Sequence, residues 1–212
     1  MGANAETIMD SGIIGIVRGA SADEVIDVID ALERGGVSTV EITADSPRIT
    51  ELLSAVSSSF GDEIILGAGT VLDAETARSV LLHGAEFIVT PTVDQAVIQM
   101  ANRYAAPSFP GAFTPTEVLT AYEYGADAVK LFPASTGGPA HVRSVLGPLS
   151  QVPLIPTGGV SLDTAGEYFE AGAAAVGVGG SLVDREAIDA GAFDRIETKA
   201  AAFKEVAAQY ET

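Results

Sequence analysis

Cysteine is absent from this 212-residue chain, so disulfides, thiolate catalysis and thiolate metal sites are excluded. Histidine is nearly absent. His83 and His141 stand far apart in the sequence, at an expected helix end and an expected helix start. Zinc chemistry of the aldolase type wants a clustered histidine set, so no metal is expected, and both histidines read as solvated or capping residues. Positive charge is scarce: 11 Lys and Arg against 29 Asp and Glu give a net charge of −18. That sign argues against nucleic acid and anionic membrane surfaces as partners. No apolar run approaches the roughly 20 residues that span a bilayer. The opening MGANAETIMD lacks the basic start and apolar core of a signal peptide. An acylation motif beginning at Met1-Gly2 would need Ser or Thr where Glu6 stands. A cytoplasmic location is expected by elimination.

What is present is a globular composition, 47% apolar and 19% charged, with enough length for one sizeable core. No linker or low-complexity stretch divides it, so one domain over 1–212 is expected. The acids are spread along helix faces, as in Asp23, Glu24, Asp27, Asp30 and Glu33, and not gathered in a tail. Lysine is confined to Lys130, Lys199 and Lys204. An acidic, lysine-poor surface rich in Ala, Gly and Val suggests a salt-rich cytoplasm; an ordinary acidic enzyme is the alternative.

Strand-like runs alternate with helix-period segments along the whole chain. The runs are Ile13–Arg18, Thr39–Thr43, Ile64–Val71, Phe87–Pro91, Pro107–Gly111, Ala128–Pro133, Leu154–Gly159 and Ala175–Gly180, eight in all. Between them lie segments such as Ala22–Arg34, with Val25, Ile26, Val28, Ile29 and Leu32 on one face, and Ala74–Leu82. Ser21, Asp73 and Ser161 supply N-cap chemistry, and glycines follow several helix ends, as at Gly35-Gly36, Gly84, Gly125 and Gly172. Such alternation implies parallel strands with helical crossovers. Apolar stretches such as Ile64-Ile65-Leu66 and Val152–Ile155 suit a sheet buried on both faces. Eight units predict an α/β (β/α)8 TIM barrel. The rival is an open doubly wound sheet, but Arg18-Gly19-Ala20-Ser21 has no G-x-G-x-x-G for a dinucleotide.

In a barrel the chemistry stands at the C-terminal strand ends. Polar or special residues fall there: Arg18, Glu41, Thr43, Thr70, Pro91, Lys130, Phe132, Thr157-Gly158-Gly159 and Gly180-Ser181. Lys130 interrupts an apolar strand in a chain that avoids lysine. An ammonium turned inward is costly to desolvate, which favours the neutral amine that attacks a ketone to form an imine. The alternative is an outward lysine whose stem packs between helices. Glu41 is likewise a lone acid in an apolar strand, read either as a proton shuttle for imine chemistry or as a buried partner for Arg18. Arg18 suits a substrate carboxylate or a structural ion pair. Glycine-rich turns close both of the last two strands, and such a pair forms the phosphate site common in TIM barrels; tight turns alone would also want those glycines.

Several motifs occur in one order: Gly35-Gly36-Val37 with Val40-Glu41-Ile42-Thr43, Gly67–Val71, Glu86–Pro91, Pro110-Gly111 with Thr114–Glu117, Val129–Pro133 and Pro156–Val160. On these the chain, from about Ile13 to Val183, resembles the 2-dehydro-3-deoxy-phosphogluconate aldolases, the KDPG/KHG aldolase family. The resemblance implies a class I aldolase without cofactor, typically a homotrimer of barrels. Its substrate would be a phosphorylated 2-keto-3-deoxy sugar acid, 2-dehydro-3-deoxy-6-phosphogluconate, and its products pyruvate and D-glyceraldehyde 3-phosphate, in an Entner–Doudoroff-type pathway. It makes Lys130 the Schiff-base residue and Glu41 the acid–base residue. Arg18, Thr70 and Pro91 would border the pyruvate end, and Gly158, Gly159, Gly180 and Ser181 would hold the phosphate. One position departs: Asp45 stands where some members have arginine, so Arg18 is expected to carry more of the substrate's charge. Ser46-Pro47 and Gly138-Pro139 are similar to the sister 6-phosphogalactonate aldolases, whereas Pro156–Gly159 leans to the gluconate type. A phosphate-binding barrel without chemistry, or an isomerase working without an imine, are the competing readings.

Overall fold

The computed structural model describes residues 3–210; Met1 and Gly2, weighed above against acylation, lie outside the described residues. In chain order the elements are α1 (Ala3–Asp10), β1 (Ile13–Val17), α2 (Ala22–Arg34), β2 (Thr39–Thr43), α3 (Ile49–Phe60), β3 (Ile65–Gly69), α4 (Ala74–Leu82), β4 (Phe87–Val89), α5 (Gln95–Arg103) and β5 (Ser108–Phe109). There follow β6 (Gly111–Ala112), α6 (Pro115–Glu123), β7 (Val129–Leu131), α7 (Ala134–Leu146), β8 (Leu154–Pro156), α8 (Leu162–Glu170), β9 (Val176–Val178), α9 (Arg185–Asp189) and α10 (Phe193–Ala207). Among the described residues no helix is long and apolar enough to cross a membrane.

All strand pairs are parallel. They form a six-stranded sheet in the order β5-β4-β3-β2-β1-β9 and a three-stranded sheet in the order β6-β7-β8. The anticipated fifth strand, Pro107–Gly111, is thus two short strands parted by Pro110, whose ring nitrogen has no N–H to donate. Its carbonyl still accepts the Lys130 N–H at 3.0 Å. At the other end of the two sheets, a single bridge joins Thr157 to Gly177.

Helix α2 begins as its sequence dictates. The Ser21 N–H donates to the Glu24 carboxylate at 2.8 Å, and Val25, Val28, Ile29 and Leu32 are buried at helical spacing. Each such side chain contributes about 1.5–3 kcal/mol through the area it removes from water. Asp73 caps α4 by accepting the Thr76 N–H at 2.6 Å.

The apolar interior has two parts. The larger lies between the strands and the surrounding helices. The smaller holds Ile14, Phe87, Val89, Phe109 and Ile155 from the strands and Ile8 from α1. That first helix, absent from the strand–helix pattern read above, sets Ile8 against the strands' inner side chains with no exposure to solvent. The concave side of the sheets is therefore a packed floor, and the polar groups stand above it.

Candidate active site

Glu41 is central in β2, level with Ile16 of β1 and Gly67 of β3. Lys130 is central in β7, level with Gly111 and Ile155. Both face the same narrow space, lined also by Ile14, Ile16, Val89, Phe109, Ile155, Thr157 and Gly177, with a volume of about 10 Å3. Glu41 is 2% exposed and Lys130 7%. Their head groups stand 4.0 Å apart, Nζ to Oε1. That separation couples their charges but is too long for a direct hydrogen bond. Burial raises the Glu41 carboxyl above its ordinary value of 4.5, opposed first by the Lys130 charge and then by that of Arg18.

Small residues make room for these groups. A Cβ at Gly69 would collide with the Glu41 carboxylate, and one at Gly177 would collide with the Thr157 hydroxyl. Thr157 is buried, and its hydroxyl donates to the Ile155 carbonyl at 3.2 Å. Phe132 lies two residues beyond Lys130, with its ring centroid 5.3 Å from Nζ. The ring face is electron-rich, so it is a favourable neighbour for a cation. Pro91 lies against Gly111, the strand partner of Lys130.

Arg18 lies at the rim, with 58% of its side chain exposed. One nitrogen pairs with Asp45, and another donates to the Thr70 hydroxyl at 3.0 Å. The reading of Arg18 as the buried partner of Glu41 is corrected here. Its direct partner is Asp45 and not Glu41, because Glu41 lies deeper, beside Lys130. Asp45 supplies the counter-charge to Arg18 at the rim.

The two glycine-rich turns are adjacent, joined by the Thr157–Gly177 bridge. Gly158 and Gly159 both have positive φ, 90° and 82°. The Gly158 carbonyl accepts the Ser135 N–H at 2.9 Å. Among the described residues no protein acceptor takes the N–H of Gly159, Gly180 or Ser181, and these three residues are exposed. After β9 the chain makes a single turn, with Leu182 and Val183 N–H groups both on the Gly179 carbonyl, before the short α9.

The histidines are not at this site. His83 contacts the Ser79 carbonyl at 2.7 Å at the end of α4. His141 lies in the first turn of the helical segment that restarts after the break at Gly138 within α7; it contacts the Phe113 carbonyl at 2.7 Å and stacks on that ring at 4.6 Å. Two further residues, neither given a role at the site from the sequence, contribute to it. Ser46, 5% exposed, accepts the Gly19 N–H at 3.2 Å. Arg185 donates to the Gly19 carbonyl at 3.2 Å and to Glu24 at 2.9 Å. Both brace the loop that carries Arg18, and only Ser46, next to a proline just past a strand, left a trace in the sequence.

The family model for KDPG and KHG aldolases matches residues 5–199. The chain is 35% identical to the 2-dehydro-3-deoxy-6-phosphogalactonate aldolase of Escherichia coli strain K12, over 85% of this chain and 92% of that protein. It is 32% identical to the KHG/KDPG aldolase of the same strain, over 91% of each. It superposes with a TM-score of 0.88, at 25% identity, on the KDPG aldolase of Legionella pneumophila with pyruvate captured at low pH as a covalent carbinolamine intermediate, over 94% of this chain and 97% of that one.

Proposed function

The chain belongs to the KDPG and KHG aldolase family, and from that premise we propose a class I, Schiff-base aldolase that cleaves 2-dehydro-3-deoxy-6-phosphogluconate to pyruvate and D-glyceraldehyde 3-phosphate, the lyase step of an Entner–Doudoroff-type route. One observation carries the reading: a lysine and a glutamate are buried on the same apolar wall with their head groups 4.0 Å apart.

Lys130 attacks the C2 carbonyl, giving a carbinolamine that loses water to an iminium. The Glu41 carboxylate takes the C4 hydroxyl proton, directly or through one water. The C3–C4 bond breaks, its electron pair passes to the iminium nitrogen, and the aldehyde leaves. Glu41 returns the proton to C3 of the enamine, and hydrolysis frees pyruvate and the amine. A carboxyl held above its ordinary value by burial suits both halves of that shuttle. Arg18, Thr70 and Pro91 border the pyruvate end, with Phe132 and Thr157 beside the amine. The N–H groups of Gly159, Gly180 and Ser181, with Gly158 shaping the turn, take the phosphate. The resemblance assigns no cofactor and no metal.

The same reading joins β5 and β6 into one strand bent at Pro110 and closes the sheets as one eight-stranded barrel domain over 1–212; the Thr157–Gly177 bridge supports this. A homotrimer is proposed with it, and the exposed Leu82, Tyr104, Leu119 and Tyr122 offer apolar surface for contacts. A cytoplasmic, salt-rich setting accounts for the net charge of −18. The 6-phosphogalactonate epimer is the second substrate reading, favoured by Ser46-Pro47 and Gly138-Pro139 and by the galactonate-series relative.

The test is pyruvate with borohydride, read by intact mass and peptide mapping. One pyruvate-derived unit on Lys130 is expected. Label on Lys199 or Lys204 with Lys130 untouched overturns the mechanism, and no label points to a binding barrel or an isomerase. Cleavage assays with both C4 epimers decide the substrate series.

A further inference from the structure

We infer that Asp45 is a positioning residue for substrate binding: it holds the Arg18 guanidinium in place while offsetting its charge, so that the 2-keto acid carboxylate meets oriented N–H donors in place of a full positive charge. The inference rests on the aldolase reading above.

The geometry is built from three strand ends. Beyond β2 the Ala44 N–H donates to the Gly69 carbonyl at 2.7 Å, and the Ser46 N–H turns back to the Thr43 carbonyl at 2.9 Å. The Ser46 hydroxyl lies 3.4 Å from that of Thr43 and accepts the Gly19 N–H at the end of β1. This turn is therefore tied to the loop carrying Arg18, and Asp45, within it, meets the guanidinium. From β3, Thr70 supplies the second contact with φ at 56°. A β-branched residue at positive φ is strained, so the surrounding structure holds that hydroxyl where Arg18 needs it. A guanidinium has five N–H donors. With two engaged by Asp45 and Thr70, about three remain for an incoming carboxylate without Asp45 being displaced.

The charge consequence follows from position. Arg18 and Asp45 side chains are 58% and 49% exposed, so their fields are screened by salt. The other acid that acts on Arg18 is Glu41, buried and holding its proton more tightly than an ordinary carboxyl. Around the pyruvate end, then, the rim carries a cation already balanced by an anion. Binding there depends on donor geometry, a contact that salt weakens less than it weakens a net charge.

Asp45→Asn keeps an oxygen acceptor for Arg18 and removes the charge. Two quantities are read at about 0.1 M and about 1 M KCl, where the Debye length is roughly 10 and 3 Å: half-saturation by pyruvate in borohydride trapping, and KM and kcat for cleavage. At the lower salt, half-saturation and KM fall roughly two- to fivefold, the worth of one exposed charge contact. The kcat value stays within about twofold, and the advantage disappears at the higher salt. In an Arg18→Gln background Asp45→Asn does not restore the wild-type half-saturation or KM, because the substrate carboxylate then has no guanidinium donors to meet. Asp45→Ser, also uncharged, serves if the amide disturbs folding. A KM unchanged or raised at the lower salt, or a gain equal at both salts, overturns the inference. Failure of the aldolase reading looks different, since the wild-type protein would then trap no pyruvate on Lys130.

Discussion

Glu41 shows how one carboxylate becomes useful by being placed badly for a charge. It has almost no exposed surface to hydrate it and, among the described residues, no hydrogen-bond donor near enough to hold the anion, only a cation at 4.0 Å. Its proton is therefore held above the ordinary 4.5, and the acid limb of kcat/KM against pH should lie above that value. In Glu41→Gln this limb vanishes and turnover falls by roughly 10²–10⁴. Near-wild-type turnover would reassign Glu41 to structure. Stability carries the same signature. The folded chain binds this proton more tightly than the unfolded chain, so the carboxyl costs stability progressively as pH rises from the ordinary value through the raised one. Urea midpoints across that window should slope downward in the wild type more than in Glu41→Gln, and equal slopes would mean the carboxyl is not raised.

At the scale of elements, strand ends and their turns divide the labour. Strands β2 and β7 carry the buried glutamate and lysine, while the turns after β8 and β9 present N–H groups with no protein acceptor among the described residues. Those donors attract an anion without any side-chain cation. Placing a carboxylate among them with Ser181→Asp should raise KM for the phosphorylated sugar acid far more than for its unphosphorylated counterpart, with trapping by pyruvate unchanged. Equal losses on both substrates would put the phosphate elsewhere. Helix limits were legible because capping is local: Ala22–Arg34 and Ala74–Leu82 fall where their caps and periodicity put them. The break at Pro110 was not read, although a proline inside a strand was its visible cause. Helix α1 was missed because a helix of eight residues, about two turns, has no strand before it to complete a strand–helix unit.

The whole molecule is governed by imbalance of charge. Arg34 pairs with Asp30 and Glu197, Arg185 with Glu24 and Asp189, and Lys199 and Arg195 with Asp184. Eleven cations still leave a net charge of −18. At about 0.01 M salt the Debye length is roughly 30 Å, so carboxylates repel across much of the protein; at about 1 M it is roughly 3 Å, and near neighbours alone interact. Summed against a net stability of roughly 5–15 kcal/mol, that repulsion is large. Melting temperature and activity should both climb as KCl goes from millimolar to molar. A melting temperature that is flat, or highest without salt, would leave the acidic surface as a matter of solubility alone.

The sequence by itself determined the α/β alternation, the helix limits, the charge and the two residues that stand alone in apolar strands. Each of these is set by local periodicity, local capping or composition. Tertiary structure decided what those residues face. Glu41 and Lys130 are 89 residues apart in sequence, and their 4.0 Å approach depends on how β2 and β7 curl around the floor made by Ile8, Phe87 and Phe109. Arg18 had two carboxylates within plausible reach, and sequence spacing does not rank them. The turn tied down by Ser46 brings Asp45 to the rim, while the strand pleat buries Glu41, so the arginine is balanced at the surface and the glutamate is left beside the lysine.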